Sequence, residues 1–534
     1  MKRDQRRKQQ LRERAKVESL AFQARFGAGQ RFGSISAEVE ARLQEEIRVM
    51  QNIGIVDDIL SLTNIISRVK HELGVETMPS HGILAGSFVA YCLGLEPTNP
   101  AESGTQLDPK DFMLTLPLHF EICYDNDIRN EVVEWMKLNS CQISTYLGQP
   151  LLKLGNVRVH IRRRVQLAVN KDFSDSLSRL RHMAEEGARQ RYDGTVPASV
   201  SERISMELDV IGKRGWEGCF ISTSEVLGDA RQSLPICLPG PGFGSAACSM
   251  VNYVLGITQI DPLKYNLPFE RFASENMACC PDMMIEVDDD SLEDLQRMTE
   301  EKDCGIRVSG SRPLSIISRI LDEPNLGIDG ADKQAFLSSI PLDDEPTLEL
   351  FRRGDTDGIH LFDSPGIREH LKNIKPDNFL ELAAINAMYR PCAVGQLPEY
   401  TRRKQEGKLT EYAIPEMAEV LDETYGLLIY QEQIIQLAKS VGGMNTEEAD
   451  ALRLAISRRD GSEMHDRFLP LFIKGGRGNG YSEKRLKQIF SSWWEYGAYT
   501  FLKSHTLCKT LICYQMAYLN VHYPEGYEIV TKDC

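Results

Sequence analysis

Residues 238–272 read LPGPGFGSAACSMVNYVLGITQIDPLKYNLPFERF, and this stretch decides how the rest of the chain is interpreted. It opens with a glycine-rich loop that contains Gly242, Gly244 and Ser245. Successive backbone N–H groups in such a loop form a cradle for a phosphate. The same composition is also typical of a tight turn that binds no ligand. The loop therefore predicts either a nucleotide-binding site or a structural turn.

Part of this stretch has a counterpart earlier in the chain. Residues 85–94 read AGSFVAYCLG, and residues 247–256 read ACSMVNYVLG. A second pair of segments also matches: residues 42–54 read RLQEEIRVMQNIG, and residues 203–215 read RISMELDVIGKRG. The two members of the first pair are 162 residues apart, and those of the second pair are 161 residues apart. Two matched blocks at nearly one offset predict a tandem duplication of an α/β unit that is too long for a solenoid repeat. The two predicted copies lie near 37–165 and 200–320.

The composition is that of an ordinary globular protein. The chain has 534 residues, of which 42% are hydrophobic, and this length suggests roughly three to four domains. A net charge of −15 argues against a protein that coats nucleic acid by bulk charge, although a local basic groove is compatible with it. The 13 cysteines include no C-x-x-C pair, which favours reduced thiols. No apolar run reaches the roughly 18 residues of a membrane span, so we expect a cytoplasmic protein without a membrane partner.

Charge and periodicity change along the chain. Eight Lys and Arg residues within the first 16 positions predict a basic arm. The polar segment 171–200 contains an Arg/Glu-rich helix candidate, Ser174 to Tyr192, and is the best linker. From about residue 345 onward, amphipathic patterns predict a mainly helical region. These patterns cover Phe379–Tyr389, Gln431–Val441, Thr446–Arg458 and Glu483–Trp494.

Several motifs in a fixed order resemble one polymerase family. The segment Leu238–Ser249 continues into YVLGITQIDPLKYNLPFERF at 253–272, and both resemble the palm of the bacterial DNA polymerase III alpha subunit, a C-family replicative polymerase. Three later segments resemble the fingers domain of the same subunit: IPLDDEPTLELFRRGDTDGIHLFD at 340–363, YGLLIYQEQ at 425–433 and FLKSH at 501–505. The agreement of many independent motifs makes the resemblance specific.

This resemblance implies an α/β fold with two nucleotidyltransferase-like (polymerase beta-like) palm units, followed by a mainly helical fingers-like domain. Relative to the family, we expect the chain to lack the N-terminal PHP domain, most of the thumb, and the clamp-binding and OB modules. The implied organisation is a basic N-terminal arm at 1–36, a degenerate first palm-like repeat at 37–170, a linker helix at 171–200, a second palm-like domain at 201–344 and a fingers-like domain at 345–534.

The catalytic centre of the family holds two Mg²⁺ ions between three aspartates. The matching positions in the second palm carry Met284, Glu286 and Arg307. One carboxylate therefore remains where three are needed, and Mg²⁺ requires oxygen ligands at about 2.1 Å in octahedral geometry. The resemblance predicts an inactive centre, in which Glu286 and Arg307 form an ion pair that fills the vacated metal site.

The first repeat has lost the same positions. Its two strand positions carry His119 and Glu121, and a further match places Arg158 beside them. Both palms are thus expected to be inactive. No cofactor is predicted, and Mg²⁺ is expected only if the centre has been rebuilt in an active form.

The fingers retain more of the positions that contact ligands in the family. The resemblance implies nucleotide binding by Gly242, Gly244, Ser245, Arg390, Lys503 and His505. It implies DNA contacts by two basic clusters, Arg402, Arg403, Lys404, Arg458 and Arg459. Phe243 stands at the loop position that holds an arginine in the family, so a loop that is retained only as a structural turn stays an alternative to nucleotide binding. For His505, a packed side chain stays an alternative to a ligand contact.

Three functions remain open at this point. The first is a catalytically inactive relative of the alpha subunit that acts in replication or repair by binding primer-template DNA or replisome proteins. The second is an active DNA-directed DNA polymerase with a rebuilt metal site. The third is a protein-interaction module without DNA binding. The net charge and the missing thumb favour the third over the first, whereas the basic arm and the finger clusters favour the first.

Overall fold

Two compact units make up the chain. In the computed structural model, the first unit comprises Met1–Phe173 and Glu275–Cys280, and the second comprises Ser174–Ser274 and Pro281–Cys534. The predicted boundary at residue 345 falls inside the second unit. Inside some helices and strands only the backbone is described. The structure describes all residues except 1, 34, 79–83, 101–117, 125, 147–148, 164–172, 235–236, 274–279, 282, 302–305, 324–332, 408–411, 460 and 533–534.

The first unit packs helices against a small mixed sheet. Its strands are β1 Leu118–Tyr124, β2 Ile143–Tyr146, β3 Gln149–Leu154 and β4 Val157–Arg163. Their order is β1-β4-β3-β2; β1 is parallel to β4, and the other two pairings are antiparallel. Alternate residues of β1 and β4 are buried in the core, as the two-residue period of a strand requires. The described helices of this unit are α1 Lys2–Phe32, α2 Ala37–Asn52, α3 Val56–Leu73, α4 Phe88–Cys92 and α5 Asn126–Leu138.

The second unit is mostly helical. Its two described strands, β5 Met284–Val287 and β6 Arg307–Gly310, run parallel. The chain is therefore a mixed α/β protein with small sheets and a large helical part. The helices are α6 Phe173–Arg191, α7 Ala198–Arg214, α8 Glu217–Ser233, α9 Met250–Val254, α10 Leu292–Glu301, α11 Arg312–Leu321, α12 Lys333–Ser339, α13 Glu345–Arg353, α14 Pro365–Ile374, α15 Phe379–Met388, α16 Leu397–Glu406, α17 Ala418–Leu421, α18 Gln431–Ser440, α19 Thr446–Arg458, α20 Gly461–Glu463, α21 Leu469–Gly478, α22 Glu483–Tyr496, α23 Lys503–His522 and α24 Pro524–Lys532.

The helices predicted from amphipathic patterns after residue 345 are confirmed. The four patterns correspond to α15, α18, α19 and α22, with ends that differ from the predicted ones by no more than two residues. Helix α19 begins with a capping box, in which Asn445 and Glu448 satisfy each other's backbone N–H groups. In the part of the chain that the structure describes, no helix is both long and apolar enough to cross a membrane.

The helix predicted as a linker packs into the second unit. In α6, Leu180, Ala184 and Ala188 are fully buried. A Cβ added to Gly187 would lie 2.0 Å from the carbonyl oxygen of Val254, so only glycine permits this contact. Small buried residues make the apolar stripe narrow, which is why the composition of this helix resembles that of a linker.

Helix α1, which was predicted as part of a basic arm, packs into the first unit in the same manner. Leu20, Ala24 and Ala28 are fully buried, and a Cβ on Gly27 would lie 1.8 Å from the carbonyl oxygen of Cys92. Each of these α1 residues precedes its counterpart in α6 by 160 positions. The side chains of the first 13 residues, which include most of the basic ones, lie outside the described part.

A buried glutamate holds the short helix α4 in the first unit. Glu46 accepts hydrogen bonds from Ser87 Oγ at 2.7 Å and from the backbone N–H groups of Phe88 and Val89 at 3.1 Å. The guanidinium of Arg42, one turn earlier on α2, pairs with the same carboxylate at 3.0 Å. The carboxylate thus satisfies N–H groups that the first turn of a helix leaves without partners.

The second unit contains the same arrangement. Glu207 accepts hydrogen bonds from Ser249 Oγ at 2.7 Å and from the N–H groups of Met250 and Val251 at 2.9 and 3.0 Å. Arg203, one turn earlier on α7, pairs with it at 2.7 Å. This clamp fixes α9, which follows the glycine-rich loop, and so it positions the end of that loop.

Candidate functional site

The glycine-rich loop is anchored to the strand that carries the remaining acidic position. The N–H of Gly240 donates to the carbonyl oxygen of Glu286 at 2.8 Å. Gly242 has a φ of +126°, and a Cβ there would lie 3.0 Å from Thr258 Cγ2 and 3.3 Å from Cys508 Sγ. Backbone conformation and packing both demand glycine at this position.

The first turn of α23 closes against this loop. Ser504 Oγ donates to the carbonyl oxygen of Gly244 at 2.8 Å, and the Gly244 N–H donates to Nδ1 of His505 at 3.3 Å. The rings of Phe243 and His505 meet edge to face, with centroids 4.6 Å apart. Ser245 follows and precedes a short 3₁₀ turn, without a capping hydrogen bond from its side chain. The structure thus brings the glycine-rich loop together with the segment FLKSH at 501–505.

Lys503 is held by acceptors within the protein. Only 6% of it is exposed, and its Nζ donates to the carbonyl oxygen of Tyr265 at 2.9 Å and to Glu423 Oε2 at 2.8 Å. The backbone N–H of Lys503 donates to the buried carboxylate of Glu432 at 2.9–3.0 Å. Sequence analysis missed the role of Glu432, because no motif links it to a residue 71 positions away.

Arg390 is positioned by an aromatic contact. Its guanidinium carbon lies 3.1 Å from the centre of the Phe501 ring. The same ring contacts His505, with centroids 5.7 Å apart. Arg390 Nε is buried and has no hydrogen-bond partner among the described residues. Arg390 and His505 therefore contact the same aromatic ring, and the role of Arg390 in nucleotide binding stays a prediction.

His505 is a neutral hydrogen-bond acceptor at pH 7. Its pKa is lowered to about 4, first by burial and then by the positive charges of Lys509 and Arg390. A neutral ring leaves Nδ1 available to accept the N–H of Gly244. A protonated ring would instead present a donor to that donor.

We expect His505 to weaken the protein as the pH falls. Because its folded pKa lies below the ordinary value of about 6.5, the unfolded chain takes up a proton first, and stability is lost between about pH 6.5 and pH 4. The loss should be about 2–3 kcal/mol larger in the wild type than in a His505→Asn variant. Urea unfolding of both proteins at pH 7 and pH 4 measures it, and an equal loss in both would contradict the prediction.

The positions that the resemblance matches to the family's metal ligands lie on the paired strands β5 and β6. Met284 lies opposite Arg307 in the parallel register, and Glu286 lies opposite Ser309. Glu286 Oε1 accepts a hydrogen bond from Lys509 Nζ, and Oε2 is buried without a partner among the described residues. The hypothesis of a Glu286–Arg307 ion pair is therefore wrong. The cation that pairs with Glu286 comes from α23, 223 residues further along the chain.

Sequence analysis missed Lys509, which is central to this site. It lies on α23 four residues after His505, so both side chains occupy one face of the helix. Its Nζ also lies 5.3 Å from the centre of the Phe243 ring. The four-residue spacing from His505 to Lys509 was a usable signal for this contact. The loop is anchored to β5, so a lysine on the helix face that meets the loop comes close to β5.

In the first unit, β1 pairs in parallel with β4, as β5 does with β6 in the second unit. His119 lies opposite Arg158, and Glu121 lies opposite His160. An arginine thus lies opposite the first of the two positions that the sequence match singled out in β1, as Arg307 does in β5. The side chain of His119 lies outside the described residues. Among the residues that are described, no group of three His, Cys, Asp or Glu side chains could hold a metal ion.

The predicted DNA-binding cluster at 402–404 is paired with carboxylates. Arg402 and Arg403 both pair with Glu399 at 2.7 Å, and their hydrogen bonds lower the pKa of that carboxyl to about 2. Lys404 is mostly buried and pairs with Glu381. These three cations therefore already have acidic partners on the protein.

The second predicted DNA-binding cluster consists of Arg458 and Arg459, and the structure describes the side chain of Arg459 only. The side chain of Arg458 lies outside the described residues. Arg459 ends α19 with a φ of +54°, and its guanidinium carbon lies 4.8 Å from the centre of the Tyr499 ring. The geometry thus supports an aromatic contact for Arg459 within the protein.

Two consecutive regions of the chain are similar to domains of one protein, the bacterial DNA polymerase III alpha subunit. Residues 178–304 match the bacterial DNA polymerase III alpha NTPase domain, and residues 314–480 match the bacterial DNA polymerase III alpha subunit finger domain. DNA polymerase III subunit alpha of Staphylococcus aureus (strain COL) is 28% identical over 451 residues, which cover 60% of this chain and 42% of that protein. The Halalkalibacterium halodurans subunit is 25% identical over 473 residues, which cover 65% of this chain and 42% of that protein. The chain therefore spans less than half the length of these relatives.

Proposed function

Because this chain is a DNA polymerase III alpha-like protein across its palm and fingers regions, we propose that it is catalytically inactive and acts in DNA replication or repair by binding. Its ligands are primer-template DNA or proteins of the replication machinery. The observation that carries the proposal is the ion pair between Lys509 and Glu286, the one acidic residue left at the family's metal positions in this palm.

A lysine ammonium at this place opposes metal binding in two ways. It occupies Glu286 Oε1, and it puts a fixed positive charge where a divalent cation would have to sit. Two-metal catalysis needs several carboxylates that bridge ions about 4 Å apart. The other two matching positions carry Met284 and Arg307, which offer no oxygen ligand.

The groups that would hold a nucleoside triphosphate already form hydrogen bonds within the protein. The Gly244 N–H donates to His505, and Lys503 Nζ donates to Tyr265 and Glu423. A ligand would have to displace these contacts before it could use the same groups. The arrangement supports a loop that is retained as a structural turn rather than as a phosphate cradle.

The recurrent contacts of the two units support an origin by duplication. The glutamate clamps at Glu46 and Glu207 have the same donors and the same arginine one turn earlier. Unrelated units would have no reason to share these buried polar contacts. In this proposal the two palm-like units arose from one ancestor and carry equivalent, degenerate strand positions.

A protein-interaction role without DNA binding is the second candidate. It is favoured by the pairing of Arg402, Arg403 and Lys404 with carboxylates, which leaves little charge there for phosphates. The net charge of −15 acts in the same direction. Binding of a primer-template duplex that weakens with salt separates the two candidates, since contacts to phosphates release counterions.

Primer extension tests the loss of catalysis. We expect no extension by the purified protein in excess over primer-template, with either Mg²⁺ or Mn²⁺, because one paired carboxylate cannot hold two metal ions. The control is a Glu286→Gln variant, which separates intrinsic activity from that of a contaminating polymerase. Extension by the wild type that disappears in the variant would mean a rebuilt active site and would overturn the proposal.

A further inference from the structure

A basic helical hairpin lies in the second unit. Helices α21 and α22 pack against each other and are joined by residues 479–482. Five basic side chains and one acidic side chain lie between 474 and 487, in a chain whose net charge is −15. All five basic residues are exposed: Lys474, Arg477, Lys484, Arg485 and Lys487.

The hairpin is short of acidic partners. Arg477 and Lys487 share one carboxylate, Glu483, at 3.2 and 2.8 Å. The other three basic side chains form no ion pair with a described residue; these are Lys474, Lys484 and Arg485. The contrast with residues 402–404 is clear, because there three cations pair with four carboxylates, those of Glu399, Glu406, Asp377 and Glu381.

One glycine of the hairpin has no structural reason to be glycine. Gly475 and Gly476 are needed for packing, because a Cβ would lie 1.9 Å from Gly442 O and 2.5 Å from Leu486 Cδ2. At Gly478 the backbone φ is not positive, and an added Cβ would meet no atom within 4 Å. The absent side chain leaves the backbone open to close approach by a ligand.

We propose that the surface formed by α21 and α22 binds the phosphate backbone of a nucleic acid without regard to sequence. The inference rests on the proposed DNA-binding role and deepens it by locating the contact. A nucleic acid fits better than an acidic protein, because docked proteins rely on apolar or aromatic anchors. None of the large apolar side chains that are exposed on the described residues belongs to this hairpin.

Salt dependence provides the test. A fluorescent primer-template duplex is titrated with the full chain at several KCl concentrations, and binding is followed by anisotropy. Each phosphate contact contributes a slope of about −0.9 to the plot of log affinity against log salt. The triple variant Lys474→Gln/Lys484→Gln/Arg485→Gln should therefore lower the steepness of the slope by about 2–3. The matched control, Arg179→Gln/Arg189→Gln/Arg353→Gln, removes three exposed cations that have acidic partners and should leave the slope unchanged.

The possible results distinguish the two proposals. No binding of the duplex by the wild type would overturn the DNA-binding role and this inference with it. Binding by the wild type with an unchanged slope in the triple hairpin variant would overturn the inference alone. Equal losses in the hairpin variant and in the control would show a bulk-charge effect and would also overturn it. Circular dichroism verifies that each variant is folded.

Discussion

Replacing Glu207 with alanine is expected to lower the free energy of unfolding by about 3–5 kcal/mol. The carboxylate is completely buried and accepts bonds from Ser249, Met250 and Val251. Its removal leaves these donors and Nε of Arg203 without their acceptor, and each buried donor left unsatisfied costs about 1–3 kcal/mol. Because the clamp holds α9 after the glycine-rich loop, the loop should loosen as well. Urea unfolding followed by circular dichroism measures the change.

The first unit offers a matched control for this prediction. Glu46→Ala removes the corresponding clamp, in which Ser87 Oγ and two backbone N–H groups bind the carboxylate. A loss of similar size is expected, because the donors and their burial are the same. Hydrogen exchange should locate each loss to its own unit. A change below about 1 kcal/mol for Glu207→Ala would mean that water replaces the carboxylate, and the proposed importance of the clamp would be wrong.

The second large effect concerns Lys509. A Lys509→Met variant keeps most of the side-chain volume but leaves the carboxylate of Glu286, which is 6% exposed, without its cation. Breaking a buried ion pair from one side costs about 3–5 kcal/mol, although part of the lysine is exposed and the lower end is expected. Thermal and urea unfolding at pH 7 check this value.

A double variant shows whether the cost comes from the ion pair. In Lys509→Met/Glu286→Gln no charge remains unpaired, so stability should recover by about 1–2 kcal/mol relative to Lys509→Met. Strictly additive effects of the two substitutions would mean that the side chains do not interact. In that case the argument that Lys509 takes the place of a metal cation would fail.

Much of the local structure could be predicted from the sequence. The patterns for α15, α18, α19 and α22 were sufficient, because an apolar stripe with a 3.6-residue period is a local property. The resemblance also implied that Lys503 and His505 share a site with the glycine-rich loop, and Ser504 and His505 do bind Gly244. The linker prediction for α6 did not anticipate that this helix packs into the second unit. Its buried face consists of small residues such as Ala184 and Ala188, which stand among charged residues in the sequence.

The amino-acid sequence by itself determined the similarity to the DNA polymerase III alpha subunit, the helical segments and the residue types at the positions matched to the family's metal ligands, since all three depend on residue identity and short spacings. Only the tertiary structure decided which distant residues meet at the site. Lys509 reaches Glu286 across 223 residues, and Glu432 reaches Lys503 across 71. Such pairs depend on how distant elements pack, because only the folded chain brings residues so far apart in sequence within hydrogen-bond distance, and burial makes the loss of either partner costly.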